Sequence, residues 1–224
     1  MQHKLIVFDW DGTLMDSEAR IVACMQGAIA DLGMAERSVE QIRNIIGLGL
    51  RESVASLFPG LSDQDYQALV TRYRHHFLVG DQTPSPLFEG VVSLLTDLLD
   101  KGHFLAVATG KGRQGLDKVL AETGLGQVFH ATRCADETFS KPHPQMLLDI
   151  MDYLGMYARQ TLMIGDTEYD MQMASNAGTD ALAVSYGVHS KQRLLDCRPL
   201  SCVDTIADLS AWLLNGQSAL MSRS

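Results

Sequence analysis

No stretch of this sequence stays apolar for long. The run Leu5 to Phe8 is stopped at once by Asp9, and nothing approaches the roughly 18 residues that a membrane-crossing helix needs. A basic start followed by an apolar segment and a small-residue cleavage site is also missing, so no secretory leader is expected. Cysteine is scarce: Cys24, Cys134, Cys197 and Cys202 form no CxxC pair and have no histidine at zinc-ligand spacing beside them. In 224 residues this argues against a disulfide framework and for idle thiols in a reducing cytoplasm. Positive charge is in short supply too. With 18 Lys and Arg against 27 Asp and Glu, the formal net charge is −9, the wrong sign for holding a polyanionic backbone by counterion release. Nucleic acid and membrane are therefore not expected partners. Aromatic residues are only 7%, yet 46% hydrophobic and 20% charged side chains suffice for a substantial core and exclude disorder. The length permits one large unit or a core with a smaller insertion, and no internal repeat or low-complexity tract appears.

What is present is an alternation. Lys4-Leu-Ile-Val-Phe8 is short, β-branched and apolar, and it ends on Asp9-Trp-Asp-Gly12, where glycine frees the backbone to turn. Similar runs occur at His103 to Thr109, Thr161 to Ile164 and Asp180 to Val184, with a further candidate from Val128 to Ala131. Between them apolar residues recur at helical spacing, as in Val91, Leu94, Leu95 and Leu98, or Met146, Leu147, Ile150 and Met151. Strands alternating with helices predict an α/β fold, a doubly wound parallel sheet covered on both faces. Residues 16–83 break the pattern, reading as helix after helix: Ser17 as a cap for a helix through Ile29, Ser38 and Glu40 introducing one near Ile42 to Ile46, then Arg51 to Phe58 and Ser62 to Leu78. A core of 1–15 and 84–224 with a helical cap of 16–83 follows. Thr83-Pro-Ser-Pro86 marks the return, and Asn215 to Ser224 reads as a frayed tail.

Doubly wound sheets bind ligands at the carboxyl ends of their strands. Those ends carry Asp9 and Asp11, then Thr109 and Gly110, then Lys141 in a loop, then Asp166 with Asp170. Carboxylates gathered there repel by about 4 kcal/mol per pair at 4 Å and an effective dielectric near 20, so a cation is required. Oxygen-only donors suit Mg²⁺, which keeps several waters and takes phosphate oxygens. Lys141 adds a second positive charge, and Thr109 with the Gly110 amide adds neutral donors for a phosphoryl oxygen. No Ser-His or Cys-His pair is visible, whereas a carboxylate attacks phosphorus without a base, which leaves Asp9 as nucleophile. Asp11 is placed to protonate the leaving oxygen and later to activate water.

These residues carry a family resemblance. FDWDGTLMDS (Phe8 to Ser17), ATGK (Ala108 to Lys111), KPHP (Lys141 to Pro144) and IGDTEYD (Ile164 to Asp170) resemble, in order, the four motifs of the haloacid dehalogenase superfamily of phosphatases, and the helical insertion looks like its small cap. The phosphoglycolate phosphatase-like and β-phosphoglucomutase-like branch is most similar. The resemblance implies a Mg²⁺ enzyme with Asp9 as nucleophile and metal ligand, and Asp11 as acid/base with its main-chain carbonyl on the metal. It further implies Thr109, Gly110 and Lys141 at the phosphate, Asp166 on the metal, and Asp170 acting on the metal through water or orienting Lys141. Two positions depart from the family: Trp10 is bulkier than the aliphatic residue often seen there, and Gly110 stands where asparagine is common.

The expected activity is hydrolysis of a small phosphorylated metabolite through an aspartyl phosphate. Transfer to a second sugar-phosphate hydroxyl, as in a mutase, stays open, and a non-catalytic phosphorylated binding domain is the remote alternative. Dehalogenation would leave Asp11, Asp166 and Asp170 without purpose, and phosphonate cleavage through a Schiff base needs a cap lysine that residues 16–83 lack. His143 reads as a packing residue, Glu168 and Tyr169 as rim residues, and Arg51 as a solvated arginine unless the Ile46-Gly-Leu-Gly-Leu50 loop presents it to an anionic substrate. Oligomeric state is left open.

Overall fold

The computed structural model describes residues 3–215. Its elements in order are β1 (Leu5–Phe8), α1 (Glu18–Asp31), α2 (Val39–Arg43), α3 (Leu50–Leu57), α4 (Asp63–His75), a π-helical turn (His76–Gly80), α5 (Val91–Asp100), β2 (Phe104–Thr109), α6 (Arg113–Thr123), β3 (Ala131–Cys134), α7 (Gln145–Leu154), β4 (Thr161–Gly165), α8 (Glu168–Ala177), β5 (Asp180–Val184), α9 (Lys191–Asp196), β6 (Cys202–Val203) and α10 (Ile206–Asn215). The strands form one parallel sheet in the order β3-β2-β1-β4-β5-β6, the predicted doubly wound α/β fold. Among the described residues no helix is long and apolar enough to cross a membrane, and all four cysteines are free.

The alternation of side chains along a strand explains why β1 is apolar throughout. Ile6 and Phe8 pack on one face of the sheet with Leu94 and Leu98 of α5 and Trp212 of α10. Leu5 and Val7 pack on the other with Met146 and Ile150 of α7 and Met173 of α8. Both neighbours of β1 are in register with it, Phe8 lying opposite Val107 and Ile164, so Asp9 emerges beside the last residues of β2 and β4. Strand order reverses at β1, and the crevice outside its carboxyl end is where such sheets bind ligands.

Helices α1 to α4 lie between β1 and α5 and enclose an apolar cluster of their own that includes Met25, Ile29, Ile42, Val54 and Leu69. The chain leaves and returns along adjacent paths, with Asp16 N donating to Pro86 O at 2.8 Å and Phe88 N to Leu14 O at 3.1 Å.

Several local expectations shift. The strand expected at Val128 to Ala131 lies instead at Ala131–Cys134, because half-buried Val128 and Phe129 turn onto the core while the true edge strand carries the polar pair Thr132 and Arg133. The pair Cys202–Val203 makes a sixth strand too short to show a period. Ser38 caps α2 through a reciprocal pair with Gln41 rather than Glu40, and that helix ends at Arg43. Ser17 precedes α1 without capping it; its hydroxyl is used elsewhere. Asn215 closes α10, and residues 216–224, where the frayed tail was expected, lie outside the described residues.

Trp10 points into the core. Its side chain is fully buried, donates from Nε1 to Met15 Sδ at 3.3 Å, and meets the Phe129 ring edge-on at 6.1 Å. Its size therefore bears on packing beneath the site. Trp10→Ala is expected to lower unfolding free energy by about 3–5 kcal/mol, read as a reduced urea midpoint at unchanged slope.

Candidate active site

The expected site residues sit at strand tips or in the loop and helix start that follow them. Asp9 follows β1 and is anchored by its own amide, which donates to Ile164 O at 2.9 Å. Its Oδ1 accepts from Trp10 N at 2.6 Å and meets Lys141 Nζ at 2.8 Å. Its Oδ2 is buried and has no partner. Lys141 lies in the loop after β3 and also meets Asp170 Oδ1 at 2.6 Å; all three side chains are essentially shut off from solvent. Asp166 follows β4, where Oδ1 accepts from Thr13 Oγ1 at 2.8 Å and Oδ2 from Val188 N at 2.8 Å. Asp170 sits in the first turn of α8, its Oδ2 accepting from Thr167 Oγ1 at 2.7 Å within a capping box.

Carboxylate oxygens of Asp9, Asp166 and Asp170 lie within 4.8 Å of one another. One ammonium faces three acids there. Burial pushes the Asp9 carboxyl well above the usual range, only partly offset by Lys141 and reinforced by Asp170 and Asp166. Asp166 is pushed up to about 7, by burial first and then by the Asp170 charge. Burial works against the charge on Lys141, but Asp170 and Asp9 outweigh it and raise the lysine above its ordinary value. An all-oxygen donor set with surplus negative charge and an orphaned Asp9 Oδ2 fits a hard divalent cation. Asp11 stands outside this trio of carboxylates, so a contribution from it to a metal would come from its main chain.

The Asp11 carboxylate is held from two sides. Ser17 Oγ donates to Oδ1 at 2.5 Å, and Lys111 Nζ reaches Oδ1 and Oδ2 at 2.7 and 2.9 Å. Lys111 also lies 4.4 Å from the centre of the Phe77 ring, a residue of the π-helical turn, so one ammonium touches both the acid and the helical insertion. Lys111 closes the ATGK stretch, and a lysine two residues after Thr109 is the sequence signal that points to it. Thr13 and Ser17 were missed, though both belong to the first motif. Thr109 is buried at the tip of β2 and accepts from Lys111 N at 3.2 Å.

Gly110 explains itself by proximity. A Cβ there would stand 2.5 Å from the carbonyl oxygens of both Gly47 and Leu48, so only glycine admits this approach of backbone to backbone. The loop Ile46 to Leu50 thus docks on the strand tips, and Gly49 N donates to Ser140 Oγ at 2.6 Å. Arg51 does line the cavity above the carboxylates, but it is exposed and lies over the Tyr66 ring at 5.7 Å. Tyr169 donates from its hydroxyl to Asn44 O at 2.8 Å, and Glu168 pairs with Arg193, which reaches Asn44 Oδ1 at 2.6 Å. The two rim residues therefore brace the insertion. His143 stacks on Phe139 at 4.4 Å.

The family model for haloacid dehalogenase-like hydrolases matches residues 6–184. A protein of Dickeya dadantii named probable phosphatase IndB is 36% identical, the alignment covering 92% of this chain and 91% of that one. A phosphoglycolate phosphatase of Aliivibrio fischeri is 30% identical over 94% of this chain and 95% of its own. The solved hydrolase from Pseudomonas syringae has the same fold, with a TM-score of 0.87 at 22% identity, covering 95% of this chain and 98% of that one. The chain belongs to the haloacid dehalogenase-like hydrolases and is an enzyme of that family, similar over nearly its whole length to members that bear phosphatase names.

Proposed function

We propose that this enzyme is a Mg²⁺-dependent phosphatase that hydrolyses a small-metabolite phosphomonoester through an aspartyl phosphate on Asp9, in the cytoplasm, with residues 16–83 serving as the cap over a core of 1–15 and 84–224. The observation that carries it is the buried, unpartnered Oδ2 of Asp9 beside Lys141 and the carboxylates of Asp166 and Asp170. The relatives' phosphatase names support the same chemistry.

A Mg²⁺ ion bound by Asp9, Asp166 and the main chain of Asp11, with Asp170 nearby, would neutralise charge on the phosphoryl oxygens. The remaining work falls to the chain. Lys141 holds Asp9 Oδ1, which fixes the carboxylate for in-line attack and keeps its charge tolerable in a buried site. Thr109 and the Gly110 amide take phosphoryl oxygens as charge develops. Asp9 forms a bond to phosphorus as the ester P–O bond breaks, and the departing alkoxide takes a proton from Asp11. Asp11, now ionised, takes a proton from water, whose oxygen bonds to phosphorus while the acyl-phosphate P–O bond to Asp9 breaks. Inorganic phosphate leaves and Asp11 is again protonated. The loop Ile46 to Leu50, packed on Gly110 and Ser140, covers the strand tips and strengthens the electrostatic contacts made there to developing charge.

Asp9→Asn is expected to lower kcat by at least about 10⁴-fold with the fold retained, measured as inorganic phosphate release from p-nitrophenyl phosphate; undiminished turnover would sink the assigned nucleophile. Phosphate release equal to alcohol release separates hydrolysis from transfer to a second hydroxyl.

The carboxyl shift of Asp166 gives a second test. Because its folded value is raised to about 7, the folded protein holds a proton that the unfolded chain has already lost. That contribution to stability is present below the ordinary carboxylate range and disappears as pH rises through about 7. Cation binding needs the ionised form and so runs the other way. The rise in Tm caused by Mg²⁺ should be small at about pH 5 and grow to about pH 8, followed by scanning fluorimetry, and Asp166→Asn should reduce the growth, the remainder coming from the Asp9 carboxyl, which is raised as well. A shift of equal size at every pH would contradict the assignment.

A further inference from the structure

The space above the carboxylates has a volume of about 470 Å³. Cavities of ~300–1,000 Å³ enclose ligands of drug size, whereas a phosphate on a two-carbon acid fills only part of such a space. Chemistry differs sharply between floor and wall. The floor carries Asp9, Asp11 and Lys111, while the wall given by the helical insertion is mostly apolar and aromatic, with Ile21, Met25, Leu50, Tyr66, Tyr73 and Phe77, its charged groups being Arg51, Glu52 and Arg74. Tyr73 and Phe77 are stacked at 6.1 Å with 27° between their planes, and Tyr66 is half-buried with the Arg51 guanidinium at 5.7 Å from its ring centre. Ser53, Gln114 and Thr138 also line the space and offer hydrogen-bonding groups for hydroxyls.

A short hydroxy-acid ester would bring a second carboxylate close to phosphorus and would need a cation at the floor. Both lysines there are committed: Lys111 to Asp11 at 2.7 Å, and Lys141 to Asp9 at 2.8 Å and Asp170 at 2.6 Å. Arg51 and Arg74 line the cavity from exposed positions. The wall instead rewards a body that displaces water from aromatic surface, and a flat ring gains further from stacking.

Resting on the phosphatase reading above, we infer that the preferred substrate is a phosphomonoester of a sugar-sized alcohol bearing a flat ring, close in size to a nucleoside monophosphate. Its phosphate lies over Asp9, and its ring lies against Tyr66 and the Tyr73–Phe77 stack. Tyr66 is then a specificity-determining residue that senses the ring and takes no part in the chemistry at phosphorus.

The experiment compares kcat/KM with Mg²⁺ for uridine 5′-monophosphate, adenosine 5′-monophosphate, ribose 5-phosphate, phosphoglycolate and glycerol 2-phosphate, in the wild type and in Tyr66→Ala, Tyr66→Phe and Asp9→Asn. At least one ring-bearing ester is expected to exceed ribose 5-phosphate and phosphoglycolate by about 100-fold or more. Tyr66→Ala should cost that ester about tenfold, through KM, and leave ribose 5-phosphate within about twofold; Tyr66→Phe should restore the loss. Turnover of phosphoglycolate or ribose 5-phosphate equal to or better than both nucleotides, lost in Asp9→Asn, would overturn the inference while the phosphatase reading stands. Equal loss on every ester in Tyr66→Ala, with Tyr66→Phe unable to restore selectivity, would overturn it as well. Absence of turnover for all five esters would overturn the phosphatase reading and the inference with it.

Discussion

A single buried ammonium between two carboxylates governs this site. Lys141 meets Asp9 at 2.8 Å and Asp170 at 2.6 Å where water is excluded, and a third acid, Asp166, completes the cluster. Removing such charges from water costs several kcal/mol per ion after relaxation, so the arrangement persists only because the fold imposes it. Parallel pairing does this. Phe8 and Ile164 are ladder partners, so the residues that follow them, Asp9 and Gly165-Asp166, emerge side by side. Negative charge exceeds positive there, and burial first, with the neighbouring acids after it, raises the carboxyls of Asp9 and Asp166. A site with this imbalance favours a dication together with the dianion that the dication attracts, which is the demand of phosphoryl transfer.

Close backbone approach is the second constraint, and it too follows from residue type. Gly12 has φ +80°, and a Cβ on it would stand 2.2 Å from Asp166 Oδ2. The asparagine common in the family at position 110 would place its Cβ 2.5 Å from two carbonyl oxygens of the docking loop. Glycine at 110 therefore lets the Ile46 to Leu50 loop come down onto the strand tips. That same contact delivers Gly49 N to Ser140 Oγ, next in sequence to Lys141. The insertion is thereby tied to the residue that orders the charges.

Much of this was legible in the residues, and the reason is geometric. Central strands of a parallel sheet must be apolar on both faces, so β1, β2, β4 and β5 announce themselves, and acids or glycines immediately after them fall on the crevice. Edge elements obey no such rule. At β3 the half-exposed Thr132 and Arg133 obscure the period, and at β6 two residues have none. Side-chain partners were the least legible, because they join segments distant in the chain: Lys111 reaches back 100 positions to Asp11, and Thr13 reaches forward 153 to Asp166. Arg51 is exposed, as its reading as a solvated arginine expects, although it also lines the cavity, and the two glycines of the preceding loop serve docking.

The segment from Phe8 to Ser17 shows how one short stretch meets both demands. Phe8, Trp10 and Leu14 are buried among the apolar side chains of the core. Asp9 and Asp11 face the charges, Thr13 steadies Asp166, and Ser17 gives up its capping role at α1 to donate to Asp11. Alternation along the strand is what separates the two sets, and the turn at Gly12 extends that separation beyond the strand end. Enlarging the residue between the aspartates to tryptophan then costs the site nothing sterically, because position 10 belongs to the core half of the pattern. The aromatic ring deepens packing directly beneath the carboxylates, with its Nε1 hydrogen satisfied by Met15 Sδ. In the proposed reaction this packing helps to hold the Asp9 carboxylate in line, because misplacement by about 1 Å can cost about 10²-fold in rate.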